Sequence, residues 1–512
     1  MSTEALVSHL ASVYSDLSID ATAKVDVPLI ESYIISLKST SLNPEIIEVI
    51  SFLFYVINNP NYHTISDESD CLIELLSSLL LSLSLTEVIE IFDNLNNFDF
   101  NSILQICLDQ TASHAKIQQL AIDLLTKSTA LEIRKISHHV IVRVFKIFSS
   151  FETPLNVVNS IDKFFNHVLY LSISDHTIFN DTFTIHNIET LLSMRSTTHS
   201  PVLTVRLIDL LIKMFEKFPQ IMISNKTMFA NLYIFEEKSF LENDDFFYLN
   251  KLINLHSSIF SNNYDHLLDS SASNNKISNE YVAEKFKNQL RYIFQLYSLS
   301  NDDTMIYSVN ELIEFYSVFS RFDEAKFLAF SEKYQIITQY SINSLSNASN
   351  VLLLASINPK VLLSFDLSGL SLTNKSLPIF INYISYEDTF EVIRSSSQLS
   401  LSAISNLTLE NTFEIMYEMA RFSYSAKYLL KELPVLVHNH LVSANINDRE
   451  NIMVKRNFRL NQLKIEILAE LVKNDATKDE TLLSLLKTEK NKLASGDIYS
   501  DTVQAAVGSK TS

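Results

Sequence analysis

The chain has 512 residues, of which only three are glycine (Gly369, Gly496 and Gly508) and none is tryptophan; 40 Lys and Arg against 59 Asp and Glu leave a net charge of −19. The phosphate-cradling loops G-x-G-x-x-G and G-x-x-x-x-G-K-[ST] cannot be written from such a sequence, and neither can the nucleophile elbow G-x-S-x-G. A 47% hydrophobic composition provides for a large core, whereas the acidity disfavours general nucleic-acid binding, which needs clustered Lys and Arg.

Tight hairpins draw on glycine for positive φ, so the chain reads as helix after helix, joined by Asn, Ser and Asp. Asn43-Pro44-Glu45 opens a helix through Ile46, Ile50 and Phe54. Ser66 to Asp70 supplies caps for Leu72–Leu81, and Thr86-Glu87 opens another helix. Further helices are predicted over 113–127, 130–148, 154–171 and 186–194. From Pro201 to Phe218, Leu203, Leu207, Leu210, Leu211, Met214 and Phe215 form one stripe, with Arg206, Asp209, Lys213 and Glu216 on the other side. The same grammar predicts helices over 246–260, 278–299, 301–319, 323–345, 347–355, 377–383, 409–422, 424–437 and 449–473. Pairs of short helices recurring about every 40 residues have the period of HEAT and armadillo arrays. The expected fold is therefore all-α, a HEAT/armadillo-like α-solenoid of roughly ten or eleven helix pairs over 1–493. Residues 269–279 (DSSASNNKISN) read as a surface loop and 494–512 as a disordered tail.

Cys71 and Cys107 are too few for a disulfide framework and read as buried thiols. No basic-then-apolar leader opens the sequence, and the apolar run Leu72–Leu85 is too short to span a bilayer. A reducing, cytoplasmic compartment is the expectation. Neither His138-His139 nor His438 with His440 has metal-site spacing, so no metal or cofactor and no catalysis are expected. Lys455-Arg456, Arg459 and Lys464 surround Phe458 as a basic cluster, most simply a solvated helix face. Glu236-Glu237 and Glu242, Asp244 and Asp245 form the densest acidic stretch, flanked by aromatics. They read as helix N-terminal acids or as a docking edge for a basic domain.

Three segments carry a resemblance: Val205-Arg206-Leu207-Ile208-Asp209, Ala355-Ser356-Ile357-Asn358-Pro359-Lys360, and the run from Glu418-Met419-Ala420-Arg421-Phe422 through Tyr424-Ser425-Ala426-Lys427-Tyr428 to Glu432-Leu433-Pro434. Together they resemble the fungal assembly chaperone of the proteasome regulatory-particle base, a HEAT-repeat family first named for a mismatch-repair phenotype. The resemblance implies a C-shaped solenoid without catalytic activity. It implies binding to the C-terminal domain of a AAA+ ATPase subunit, together with its partner ATPase and a large non-ATPase scaffold subunit, and release before the mature particle forms. No direct nucleic-acid, membrane or small-molecule partner is expected. Partner-facing candidates are Arg206, Asp209 and Lys213, then Glu236, Glu237, Asp244 and Asp245. A different helical-repeat adaptor for transport or tethering, and a direct mismatch-repair factor, are the alternatives.

Overall fold

The computed structural model describes residues 3–19, 23–36, 44–62, 65, 70–94, 99–109, 115–196, 201–224, 246–264, 278–298, 307–336, 348–364, 370–442, 457–474 and 480–495. Among these residues every regular element is a helix, and no strand occurs. The chain divides into two units, Met1–Phe235 and Glu236–Ser512.

In the first unit the helices lie in two rows. Thr3–Ser18, Pro44–Ile57, Cys71–Ser82, Ala115–Leu125, Leu155–Ser174 and Pro201–Lys217 pack one on the next as the first row. Phe100–Cys107, His138–Phe148 and Ile185–Ser196 pack in succession as the second row. First-row helices begin at Cys71, Ala115, Leu155 and Pro201, steps of roughly 40 residues, as a HEAT-like array requires. The second unit repeats the plan. Phe246–Phe260, Val309–Phe322, Ala348–Ser356, Leu377–Ile384, Leu409–Arg421 and Phe458–Lys473 pack one on the next. Beside them run Lys287–Ser298, Glu324–Lys333, the 3-10 turn Pro359–Ser364, Glu387–Ser395 and Ser423–Lys431. Each unit is thus a two-row α-solenoid, with its core between the rows. Phenylalanine fills that core: Phe145, Phe148 and Phe165 meet in one unit, and Phe260, Phe286, Phe294 and Phe319 in the other.

None of the three glycines lies among the described residues, so every described turn is made without one. Asp70, Gln335 and Ser397 hold positive φ, at 54°, 56° and 58°. Side-chain caps do the remaining punctuation. Thr129 and Glu132 form a capping box, and Ser137, Asp175, Ser278, Asp323, Ser400 and Thr408 each accept a backbone N–H at a helix start.

These caps correct several sequence boundaries. The helix expected over 130–148 is two helices, Ala130–Ile133 and His138–Phe148, because Ser137 restarts it. His138 and His139 therefore open a helix and are exposed, rather than sitting inside one. The 278–299 helix divides around buried Phe286 into Asn279–Lys285 and Lys287–Ser298. The 424–437 helix stops at Lys431 and resumes at Pro434, whose ring has no N–H to continue the ladder. Asp70 stands before Cys71–Ser82 but makes no side-chain cap; it pairs with Lys116 at 3.1 Å. The expected loop is outside the described residues up to 277, and Ser278 then caps a helix that begins at Asn279. The last described helix is Glu480–Ser495, so Ala494 and Ser495 are helical, and residues 496–512 lie outside the described residues.

Among the described residues no single helix is long and apolar enough to cross a membrane. Cys71–Ser82 and Leu85–Asn94 are apolar together but bend by 119°. Leu72, Ile73, Leu75, Leu76 and Leu79 are buried within the unit.

Candidate functional site

Arg206, Asp209 and Lys213 lie one turn apart on the helix Pro201–Lys217. The Arg206 guanidinium donates to the carbonyls of Phe148 (3.4 Å) and Ser150 (3.1 Å), at the end of the helix His138–Phe148. Those carbonyls have no partner of their own within a helix, and a cation suits that end of the helix dipole. Partial burial pulls the Arg206 pKa down from its ordinary value. Lys213 meets both carboxylate oxygens of Asp162 at 2.7 Å, on the preceding first-row helix. Asp209 is half-buried on the same face. This trio is thus engaged within the array, Arg206 and Lys213 as cross-repeat ties. Glu236, Glu237, Asp244 and Asp245 lie outside the described residues.

Ties of this kind recur through both units. Lys127 donates to the carbonyls of Leu81 and Leu83, the Thr86 hydroxyl donates to Glu132, and Arg134 pairs with Asp175. In the second unit Lys326 reaches the Glu280 carbonyl at 3.2 Å, the Ser317 hydroxyl donates to the Ser356 carbonyl at 2.7 Å, and Asn358 joins Ser320 by two bonds. The Asn382 amide donates to Leu354 and Ile357. Apart from the Asn382 bonds, which span 25 and 28 residues, these partners stand about one repeat apart in sequence, so such bonds fix one helix pair against the next.

The diagnostic segment from Glu418 to Pro434 follows the same rule. Its two tyrosines act as long-range pegs. The Tyr424 hydroxyl donates to the Ile384 carbonyl at 2.7 Å and the Tyr428 hydroxyl to Leu399 at 2.9 Å. Both rings pack on Phe390. Burial raises both phenol pKa values above the ordinary one. The Ser425 hydroxyl closes on the Met419 carbonyl at 2.8 Å. Arg421 pairs with Glu418 at 2.7 Å and lies over the Phe422 ring, which stacks on Tyr424. Segment by segment, the features that carry the resemblance build the junction between neighbouring repeats.

Where the same segment ends, the surface opens. Leu430, Pro434, Val435 and Val442 face Leu482 and Leu485 of the helix Glu480–Ser495 across an apolar groove of about 450 Å³. Val435 is 52% exposed and Leu485 45% exposed. His438 also lines it. The groove was not foreseen, since its walls come from segments some fifty residues apart. The leucine pairs Leu482-Leu483 and Leu485-Leu486 were the available signal.

Of the expected basic cluster, the structure describes Arg459 and Lys464. Lys464 is only 4% exposed, on the buried face of its helix, whereas Phe458 and Arg459 are exposed; Lys455 and Arg456 lie outside the described residues. Among the described residues no group of three or more His, Cys, Asp or Glu is placed to hold a metal ion. Cys71 is a buried thiol as expected, whereas Cys107 is only part-buried; it and buried His256 are both strongly shifted by desolvation. Burial pushes the Cys107 thiol up to about 12, in an apolar pocket with Phe54, Leu76 and Leu104. Burial pulls the His256 imidazole down to about 4.

The family models for the N-terminal and C-terminal domains of "DNA mismatch repair protein HSM3" match residues 5–261 and 279–512. The Candida albicans protein of that name is 22% identical over 438 residues, covering 84% of this chain and 82% of its own. The Debaryomyces hansenii protein of that name is 22% identical over 471 residues, covering 86% and 87%. The crystal structure of an engineered protein overlays with a TM-score of 0.34 at 12% identity, covering 86% of this chain and 98% of its own.

Proposed function

The chain belongs to the HSM3 family, and from that premise we propose that it is a cytoplasmic, non-catalytic chaperone for assembly of the proteasome regulatory-particle base. Its partner in this reading is the C-terminal helical domain of a AAA+ ATPase subunit, held with its partner ATPase and a large non-ATPase scaffold subunit and released before the mature particle forms. The observation that supports the reading is how the polar side chains are used. Among the described residues they close helix ends and tie one repeat to the next, from Arg206 on Ser150 to Tyr424 on Ile384. A preset array loses little conformational freedom when a rigid helical domain docks on it. The net charge of −19 favours a basic partner surface.

The test is binding of the purified chain to each of the six isolated ATPase C-terminal domains at low and high salt. One domain binds, and more weakly as salt rises. Binding to none overturns the reading, and salt-independent binding removes the electrostatic part of it.

A second reading is direct action in mismatch repair, favoured by the relatives' name. It needs a cationic surface for phosphates. The one cluster suggested by sequence loses Lys464 to burial. Tight binding to mismatched duplex at physiological salt would revive it.

A further inference from the structure

The helix Glu387–Ser395 closes with the paired bonds of a Schellman motif. The Ser397 N–H donates to the Arg394 carbonyl at 3.0 Å, and the Gln398 N–H to the Ile393 carbonyl at 3.2 Å. Ser397 takes the left-handed position of the motif, with φ at 58°. Glycine or asparagine is the usual residue there, because a Cβ crowds the carbonyl that follows. The run Ser395-Ser396-Ser397 uses its hydroxyls unequally. Those of Ser395 and Ser396 donate back to the carbonyls of Val392 and Ile393, at 3.0 and 3.1 Å. Ser397 is exposed, and its hydroxyl makes no hydrogen bond among the described residues. That hydroxyl therefore adds no bond to the fold that would offset the left-handed Cβ.

Arg394 stands three residues before it, with 42% of its side chain exposed. Its guanidinium pairs with Glu391 at 3.1 Å and lies 5.5 Å over the Tyr428 ring. Tyr428 belongs to the next repeat, and its hydroxyl holds the Leu399 carbonyl, two residues beyond Ser397. An exposed serine with an arginine three residues earlier is the pattern that basophilic serine kinases read, through carboxylates that grip the guanidinium. On the other side of the serine, the Gln398 amide oxygen is buried.

We propose that Ser397 is a phosphorylation site for a basophilic serine kinase, and that the phosphate loosens the junction between Glu387–Ser395 and Ser423–Lys431. The Ser397 Oγ bonds to the γ-phosphorus of ATP as the bond from that phosphorus to ADP breaks, and the hydroxyl proton passes to a carboxylate of the kinase. The ester carries a charge of about −1.5 to −2 and three acceptor oxygens. It stands just past a helix C-terminus, where the dipole is already negative, so it opposes the last turn of Glu387–Ser395. Arg394 is the cation beside it, and a phosphate holds a guanidinium more strongly than Glu391 or the Tyr428 ring does. Drawing Arg394 away uncovers the Tyr428 peg on Leu399. The proposal does not depend on the chaperone reading.

The experiment uses the full-length chain, Mg-ATP and the catalytic subunit of cyclic-AMP-dependent protein kinase as the probe, with mass-spectrometric mapping. Phosphate is expected on Ser397 ahead of Ser395 and Ser396. Arg394→Gln slows it roughly tenfold, with far-UV circular dichroism confirming that the variant is folded. Ser137 is the internal comparison. It too has an arginine three residues before it, but its hydroxyl caps a helix and Arg134 is paired with Asp175. Ser137 is expected to react more slowly. No phosphate on Ser397, a rate indifferent to Arg394→Gln, or faster reaction at Ser137 overturns the site. Amide hydrogen exchange of the phosphorylated and unmodified chains reads the junction. Exchange over 387–399 and 423–431 rises roughly tenfold on phosphorylation, while 309–322 is unchanged. Equal exchange in the two forms overturns the loosening.

Discussion

The Arg206 guanidinium lies 3.1 Å from the carbonyl oxygen of Ser150, 56 residues earlier in the chain, and ties the helix Pro201–Lys217 to the end of the helix His138–Phe148. A second bond reaches Phe148. Arg206→Ala leaves both carbonyls without this donor and is expected to cost about 1 kcal/mol, the screened value for a half-exposed charged donor. Arg206→Lys recovers only part of it, because one ammonium cannot copy the planar fork. Urea midpoints measure both variants. A partner-contact role predicts the opposite pattern, with unchanged midpoints and weakened binding to the ATPase domain.

The tyrosine pegs make a second test. Tyr424→Phe and Tyr428→Phe each keep the ring on Phe390 and remove one hydroxyl, from Ile384 and Leu399 respectively. Each is expected to cost about 1 kcal/mol. Both rings share Phe390, so the double variant departs from additivity by about 0.5 kcal/mol or more. A double-mutant cycle in urea reads this. Strict additivity would mean that the two pegs act on separate junctions.

The contrast between these residues and the first reading of them shows what periodicity can carry. The stripe from Leu203 to Phe215 placed its helix to within a residue, because 3.6-residue spacing is a local property. The same stripe put Arg206 and Lys213 on the polar side and so suggested a partner. Angular position says nothing of what stands across from a side chain. Here that is Ser150 and Asp162, whose distance along the chain is set by the repeat. A backbone carbonyl has no sequence signature, so half of each tie was invisible. Breaks were legible only through caps: Ser137 divides the 130–148 stretch, although its apolar pattern continues. Pro434 was a visible stop within the 424–437 stretch. The groove needed Val435 and Leu485 together, which only the packing of the last helix provides.

His256 gives the fold an acid dependence. Its ring is 1% exposed, stands edge-on to Phe286 and makes one bond, Nδ1 to the Leu252 carbonyl at 2.8 Å. Burial holds its folded pKa at about 4, against 6.5 for the free group. The unfolded chain therefore takes up a proton below pH 6.5 that the folded chain refuses until about pH 4, and stability falls as pH drops through that window. Between pH 7 and pH 5 the expected loss is about 2 kcal/mol. Glu87, Glu132, Asp175 and Glu284 also have lowered pKa values, but they lose their contribution only at lower pH. His256→Leu should abolish the dependence between pH 7 and 5, whatever it does to stability at pH 7. Urea midpoints of both proteins at the two pH values decide it; an unchanged slope in the variant would assign the acid sensitivity elsewhere.

Cys107 supplies the last test, of the core beneath the first unit. It ends the helix Phe100–Cys107, and its thiol lies among Phe54, Leu76, Leu104 and Leu124. Burial lifts its pKa to about 12, because desolvation in the apolar pocket penalises the thiolate. At pH 8 the folded thiol is therefore almost wholly protonated, roughly a thousandfold poorer in thiolate than a free cysteine of pKa about 8.5. Labelling by a soluble thiol reagent should accordingly be slow in buffer and fast in urea. Cys71, at the start of Cys71–Ser82, is the more deeply buried thiol, so a Cys71→Ser variant assigns the signal. If Cys107 in that variant labels in buffer as fast as in urea, the helix Phe100–Cys107 is not seated on the core, and the second row of the first unit does not begin where the packing places it.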